Sequence, residues 1–277
     1  MSIRATDGAR LWCRVLGDGE HTVVVPGAVL DQDLERLADV GRRIVFVDSR
    51  NRGRSSAVAE PTRLGFHREV DDLDAVYEAF DIERASLIGW SYVGGVVTRY
   101  ALTRPERVDR LVLVAPIAPS SDVALSPLPE PGPAELARLD QIRAGGDQQA
   151  VCAAWRRAYI GPQLVDPALV ERLIEVACPH PNEWPDHVTR ALAHVFVDLG
   201  LYDWRSELAS FEVPTLVVEG DGPNEADAGV AWVTSAPNAR LLRLTGALRH
   251  PWLEAPEAFF SSVGRFLGGD WPEGSRR

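Results

Sequence analysis

The sequence predicts an α/β fold: a mainly parallel central sheet with helices on both faces and an inserted helical cap. Three observations predict it. Short apolar runs recur at residues 22–25, 43–47, 85–88, 108–114, 213–218 and 240–244, as expected of strands covered on both faces. Between most of them lie stretches with apolar residues at helical spacing. From about residue 116 to 211 the alternation stops, and helical patches follow one another with no strong strand. The expected division is therefore a core of residues 1–116 and 212–277 and a cap of residues 117–211.

Each element has its own local reason. Asp7-Gly8 tolerates the positive φ of a tight hairpin turn between Ser2-Ile3-Arg4 and the run that begins at Arg10. After the strand at 22–25, Pro26-Gly27-Ala28 marks a sharp turn, and Leu30, Leu34 and Leu37 repeat at helical spacing. A polar loop, Asp48-Ser49-Arg50-Asn51-Arg52-Gly53-Arg54-Ser55-Ser56, follows the next strand; its three arginines read as a solvated or loop-bracing cluster, or one of them reaches the site. Residues 67–80 form a helix with Val70, Leu73, Val76 and Tyr77 on one face. In the insertion, Pro127, Pro129, Pro131 and Pro133 mark a loop, and helices are expected at 134–143, 149–159, 167–177 and 185–201. The parallel pattern then resumes, with helices at 226–234 and 255–266.

Composition narrows the function. At 277 residues with 45% hydrophobic and 25% charged residues, the chain can bury a large core, and no run approaches the ~18 apolar residues of a membrane span. A net charge of −11 excludes a nucleic-acid partner, because phosphate neutralisation needs a basic face. All 29 basic residues are arginine, which excludes lysine Schiff-base chemistry and a Walker-type phosphate loop. Cys13, Cys152 and Cys178 give neither a disulfide framework nor metal-ligand spacing and read as buried thiols. No metal or cofactor is implied. The N-terminus carries no apolar signal region, so a cytoplasmic location is expected, and the lysine-free, alanine-rich composition points to a GC-rich bacterial gene.

Chemistry concentrates at Gly89-Trp90-Ser91-Tyr92-Val93-Gly94-Gly95. A strand ends, a serine is presented on a sharp turn and a helix starts, the arrangement of a nucleophile elbow. The Tyr92 amide and the helix N-terminus would face an oxyanion formed there. Such elbows need small residues two before and two after the serine; Gly89 conforms, Val93 does not, and the glycine pair comes one place late. Serine could alternatively cap the helix.

Together with this elbow, the polar loop at 48–56, Arg104-Pro105-Glu106-Arg107-Val108-Asp109, Val213-Pro214-Thr215-Leu216 and Pro251-Trp252-Leu253-Glu254 make the chain resemble the α/β-hydrolases, and more narrowly the capped subgroup containing proline iminopeptidases. The resemblance runs from about residue 8 to 267. It implies Ser91 as nucleophile, a histidine after the last strand as base, an acid after the penultimate strand, and the amides of Ala28 and Tyr92 as oxyanion donors. Here the register departs. Asp221 comes too early for the acid, and Glu219, Glu225, Asp227 and Asp122 fit less well. Position 249, where the base is expected, is Arg249, and His250 stands one place on.

His250 therefore serves as base or packs beside Trp252, and Asp221 is the acid or a turn residue. Arg249 could hold an anionic substrate or stabilise negative charge. Trp90, Trp155 and Tyr159 could line an apolar pocket, and His194 its cap side unless it is a core histidine. Three functions remain open: hydrolysis of an ester, amide or iminopeptide bond in a small apolar substrate; a repurposed cyclase, lyase or isomerase of specialised metabolism; and a catalytically dead ligand-binding protein.

Overall fold

The computed structural model describes residues 1–38, 41–123, 129–222 and 226–277, apart from the side chains of 226 and 227. Pro127, Glu225 and the Asp227 side chain, named above, lie outside that set. Eight strands form one sheet in the order β1-β2-β4-β3-β5-β6-β7-β8. They are β1 (Ser2–Arg4), β2 (Arg10–Leu16), β3 (His21–Gly27), β4 (Arg42–Asp48), β5 (Ala85–Trp90), β6 (Val108–Val114), β7 (Thr215–Gly220) and β8 (Ala239–Leu244). β1 and β2 pair antiparallel through the Asp7-Gly8 turn, and β2 pairs antiparallel with β4. Every other pairing is parallel.

The period of two along each strand divides the interior into two layers. Val24, Val45, Leu87, Leu113 and Val217 face one core, shared with α1 (Phe66–Ala79), α2 (Tyr92–Thr103) and Trp232 of α8 (Ala226–Ser235). Val23, Val25, Phe46, Val112 and Val218 face the other, filled by Phe259, Val263 and Phe266 of α10 (Pro256–Leu267). Burial on both faces explains why these strands read as unbroken apolar runs.

Helices α3 (Pro133–Ala144), α4 (Gln148–Tyr159), α5 (Val170–Ala177), α6 (Pro185–Leu199) and α7 (Arg205–Leu208) stand between β6 and β7, close to the expected spans. The four-residue α9 (Pro251–Glu254) precedes α10. The inserted helices are tied to the loop after β4: Asn182 Nδ2 donates to the Ser55 carbonyl (2.7 Å), and the His187 ring Nε2 lies 2.8 Å from the Asn51 carbonyl. Asp198 accepts from the His67 amide at the start of α1 (2.8 Å).

Two expectations are corrected. The leucines at 30, 34 and 37 do not build an α-helix; only a 3-10 turn at Glu35–Ala38 forms, and all three side chains are buried in the second core from an irregular segment. Cys152 and Cys178 are not free thiols but a disulfide, linking α4 to the residue that ends α5. Their separation of 26 residues carries no diagnostic spacing, and only the packing of α4 against α5 brings them together. Cys13 is a free buried thiol, as expected; burial pushes its pKa up to about 12.

Candidate functional site

The sheet delivers the elbow. β5 ends at Trp90, and Ser91 follows with φ 56° and ψ −130°, a left-handed conformation that a non-glycine residue adopts only where its surroundings enforce it. Its amide donates to the Val114 carbonyl (2.9 Å), and its carbonyl accepts from the Gly94 amide (3.0 Å), so the turn is held from both sides. A Cβ on Gly89 would lie 2.6 Å from the Val93 carbonyl oxygen and 2.7 Å from Gly94 Cα, which is why that position must be glycine. Val93 is accommodated because its side chain lines an adjoining cavity, while Gly94 meets Pro116.

That cavity, of about 190 Å³, lies between the carboxyl end of the sheet and the inserted helices. Ala28, Trp90, Ser91, Tyr92, Trp155 and His250 all line it. Ile160, Leu173, Val176, Val188, Leu192 and Trp252 give it apolar walls. The amides of Ala28 and Tyr92 have no acceptor among the described residues.

His250 is 2% exposed and packed between two indoles, with ring centroids 4.9 Å from Trp90 and 5.3 Å from Trp252. Its Nδ1 is buried without a hydrogen-bond partner among the described residues. Burial first, then the charges of Arg249 and Arg156, lower its pKa to about 3, so the ring is neutral at physiological pH.

Four sequence expectations fail here. Asp221 does not reach His250: it is exposed and accepts from the Gly246 amide (3.0 Å), as its early register would place it. Arg249 does not line the cavity; its carbonyl accepts from Trp90 Nε1 (3.0 Å), and its charge acts on His250 instead. Tyr159 stacks behind Trp155 (5.2 Å between centroids) without lining the cavity. His194 is half-buried on α6 and also stays outside, because Val188 and Leu192 occupy the face that lines the cavity.

Other lining residues were hidden. Arg50 and Arg54 brace the loop through Asp7, Asp72, Asp48 and Asp31, as a bracing cluster should. Arg52 instead reaches the cavity and pairs bidentately with Glu183, Nε to Oε1 and Nη2 to Oε2 both at 2.9 Å. Glu183 also accepts from the Gly53 amide (2.8 Å) and, weakly, from Arg156 Nη2 (3.4 Å). Asp33, a further lining residue, pairs with Arg172 (2.9 Å). The contacts joining Glu183 to Arg52 and Gly53 span about 130 residues of chain. No local pattern announces them; in the sequence Arg156 and Arg157 are only a small basic pair.

Behind the elbow, Glu69 is buried and its Oε1 lies 3.5 Å from the Tyr92 hydroxyl. Burial raises its pKa from 4.5 to about 7, against the opposing pull of Arg52. A folded-state pKa above the unfolded one means stability that is full below pH 4.5 and lost as pH rises through about 7. Glu69→Gln is therefore expected to stabilise the protein at pH 8 by about 1–2 kcal/mol and to do little at pH 4.5, read from urea melts at the two values.

Residues 22–155 match the family model of the alpha/beta hydrolase fold. A 2-hydroxy-6-oxononadienedioate/2-hydroxy-6-oxononatrienedioate hydrolase of Cupriavidus pinatubonensis is 26% identical, over 94% of this chain and 91% of its own. A hydrolase from Pseudomonas aeruginosa superposes with a TM-score of 0.70 at 25% identity, covering 97% of this chain and 98% of that one. An esterase from Exiguobacterium antarcticum shares the fold, with a TM-score of 0.73 at 18% identity over 97% and 99% of the two chains. The chain has the α/β-hydrolase fold. Among the described residues no helix is long and apolar enough to cross a membrane, and no group of three or more His, Cys, Asp or Glu side chains is placed to hold a metal.

Proposed function

We propose that this protein is a serine hydrolase of small, largely apolar molecules, cleaving an ester or amide bond through Ser91. The observation that carries the reading is the left-handed Ser91, set on a strand-to-helix turn and lining the same cavity as His250. The similarity to proteins named hydrolases and esterases supports it. An iminopeptide bond, suggested by the narrower resemblance to proline iminopeptidases, is the variant of this chemistry with proline beside the scissile carbonyl. Residues 117–211 act as the cap over the site, and we place the enzyme in the cytoplasm.

In this mechanism the Ser91 hydroxyl attacks the carbonyl carbon as His250 takes its proton, and the amides of Ala28 and Tyr92 receive the developing oxyanion. His250 returns the proton to the leaving group, then activates a water that releases the acyl group. Burial between Trp90 and Trp252 orients the ring in place of a carboxylate.

Two measurements test the reading. Hydrolysis of 4-nitrophenyl acetate and butyrate should depend on Ser91, and equal rates for wild type and Ser91→Ala would overturn it. The pH profile should also lack the usual histidine limb near 6.5. A base acts only when unprotonated, and His250, lowered to about 3, is unprotonated throughout pH 5–8. For these neutral esters kcat/KM is expected to change less than about twofold over that range once hydroxide hydrolysis is subtracted.

A further inference from the structure

Three charged groups converge on one wall of the cavity, and their charges do not cancel. Arg52, Arg156 and Glu183 all line it, and two guanidinium groups share a single carboxylate. Glu183 is largely committed to Arg52 and the Gly53 amide, and among the described residues Arg156 makes one side-chain contact with it, at 3.4 Å. Its Nε is buried with no hydrogen-bond partner among the described residues, an arrangement that costs free energy unless a ligand completes it. The other carboxylate among the residues that line the cavity, Asp33, is held by Arg172. Burial, and repulsion from Arg52, lower the Arg156 pKa even with Glu183 beside it, which marks a cation short of counter-charge.

We propose that Arg156, backed by Arg52, is a carboxylate-binding corner of this cavity, and that the substrate carries one carboxylate on its apolar body in addition to the bond that Ser91 attacks. The net charge of the three groups is +1, which matches a monoanion. A planar guanidinium with unused N–H groups suits a carboxylate, and the aromatic and aliphatic walls suit the rest of the molecule. The two ends of the site are coupled. After burial and Arg249, Arg156 is one of the charges that hold His250 a weak base, so a bound carboxylate offsets part of that pull where no described carboxylate touches Nδ1. Arg156 therefore selects substrates by charge. This inference rests on the serine-hydrolase reading for its kinetic arm and stands apart from it for its binding arm.

The kinetic arm compares mono-4-nitrophenyl glutarate, which bears a free carboxylate, with neutral 4-nitrophenyl butyrate. Wild type should favour the charged ester by at least about 30-fold in kcat/KM, Arg156→Gln should reduce that ratio to near one, mainly through KM, and Arg156→Lys should recover part of it. A merely structural role would slow both esters together and leave the ratio intact. No preference in wild type, or a preference that survives Arg156→Gln, overturns the inference while leaving the hydrolase reading in place. The binding arm titrates butyrate, a monoanion, into Ser91→Ala by calorimetry. Saturable binding there, lost in the double variant Ser91→Ala/Arg156→Gln, supports the corner even if no ester is turned over. Absence of binding in Ser91→Ala counts against it.

Discussion

Glu183→Ala is expected to destabilise the protein by about 3–5 kcal/mol, the range for removing one partner of a buried ion pair. The Glu183 side chain is 2% exposed, and its removal leaves Arg52 and Arg156, 14% and 13% exposed, as two like charges with no counter-charge between them. It also strips the Gly53 amide of its acceptor and removes one of the ties between the inserted segment and the loop after β4. For a chain of this length the loss corresponds to a fall in melting temperature of about 5–9 °C by calorimetry. The sign with pH follows from the Glu183 carboxyl, which burial pushes up but Arg52, with smaller help from Arg156 and the Gly53 amide, holds below its usual range. A depressed pKa gives stability that is present above the unfolded value and lost as pH falls through the folded one. The gap between wild type and variant should therefore be widest near neutrality and narrow in acid. A variant as stable as wild type at pH 7 would show that the cluster is not coupled to folding.

Ser91→Ala is expected to lower kcat on small esters by about two orders of magnitude, far less than in a complete triad. Where serine, histidine and acid act as a unit, losing the serine costs about six orders and losing the acid alone between four and five. No carboxylate among the described residues reaches His250, so most of the triad's contribution is absent from the start, and the serine-histidine pair is left with the difference, about 3 kcal/mol of barrier. The measurement is single-turnover kinetics with 4-nitrophenyl butyrate, alongside intact mass after fluorophosphonate exposure. Slow labelling that Ser91→Ala abolishes fits this reading. A millionfold fall would mean that a full triad assembles around substrate, and no fall would remove Ser91 from the chemistry.

Strand positions were readable because each strand is buried on both faces, so its apolar run is a direct consequence of the environment and survives without knowledge of its neighbours. The elbow was readable for a similar reason: Gly89 and Ser91 answer a steric demand that is local in the chain. The inserted helices followed from periodicity, within a few residues. Where the local signal was misleading, packing decided. The leucines at 30, 34 and 37 share a helical spacing, yet each is buried from an irregular segment because the second core needs apolar volume there and no helix.

Register arguments drawn from resemblance went as far as pointing to Ser91 and His250, which line one cavity, and faltered at Asp221 and Arg249, while the aromatic content and helix-face arguments faltered at Tyr159 and His194. A residue's position along the chain says which element carries it but not which way a turn aims its side chain. Asp221 turns to Gly246, and α6 presents Val188 and Leu192 inward rather than His194. The sequence by itself thus determined the sheet, the helices over it and the serine on its turn, since each obeys constraints acting over a few residues. Only the tertiary structure decided the Cys152–Cys178 bond, the unpartnered His250 nitrogen and the Arg52–Glu183–Arg156 wall. Those depend on which distant segments the closed core brings into contact, and contact across 26 to 131 residues leaves no periodic trace in a single chain.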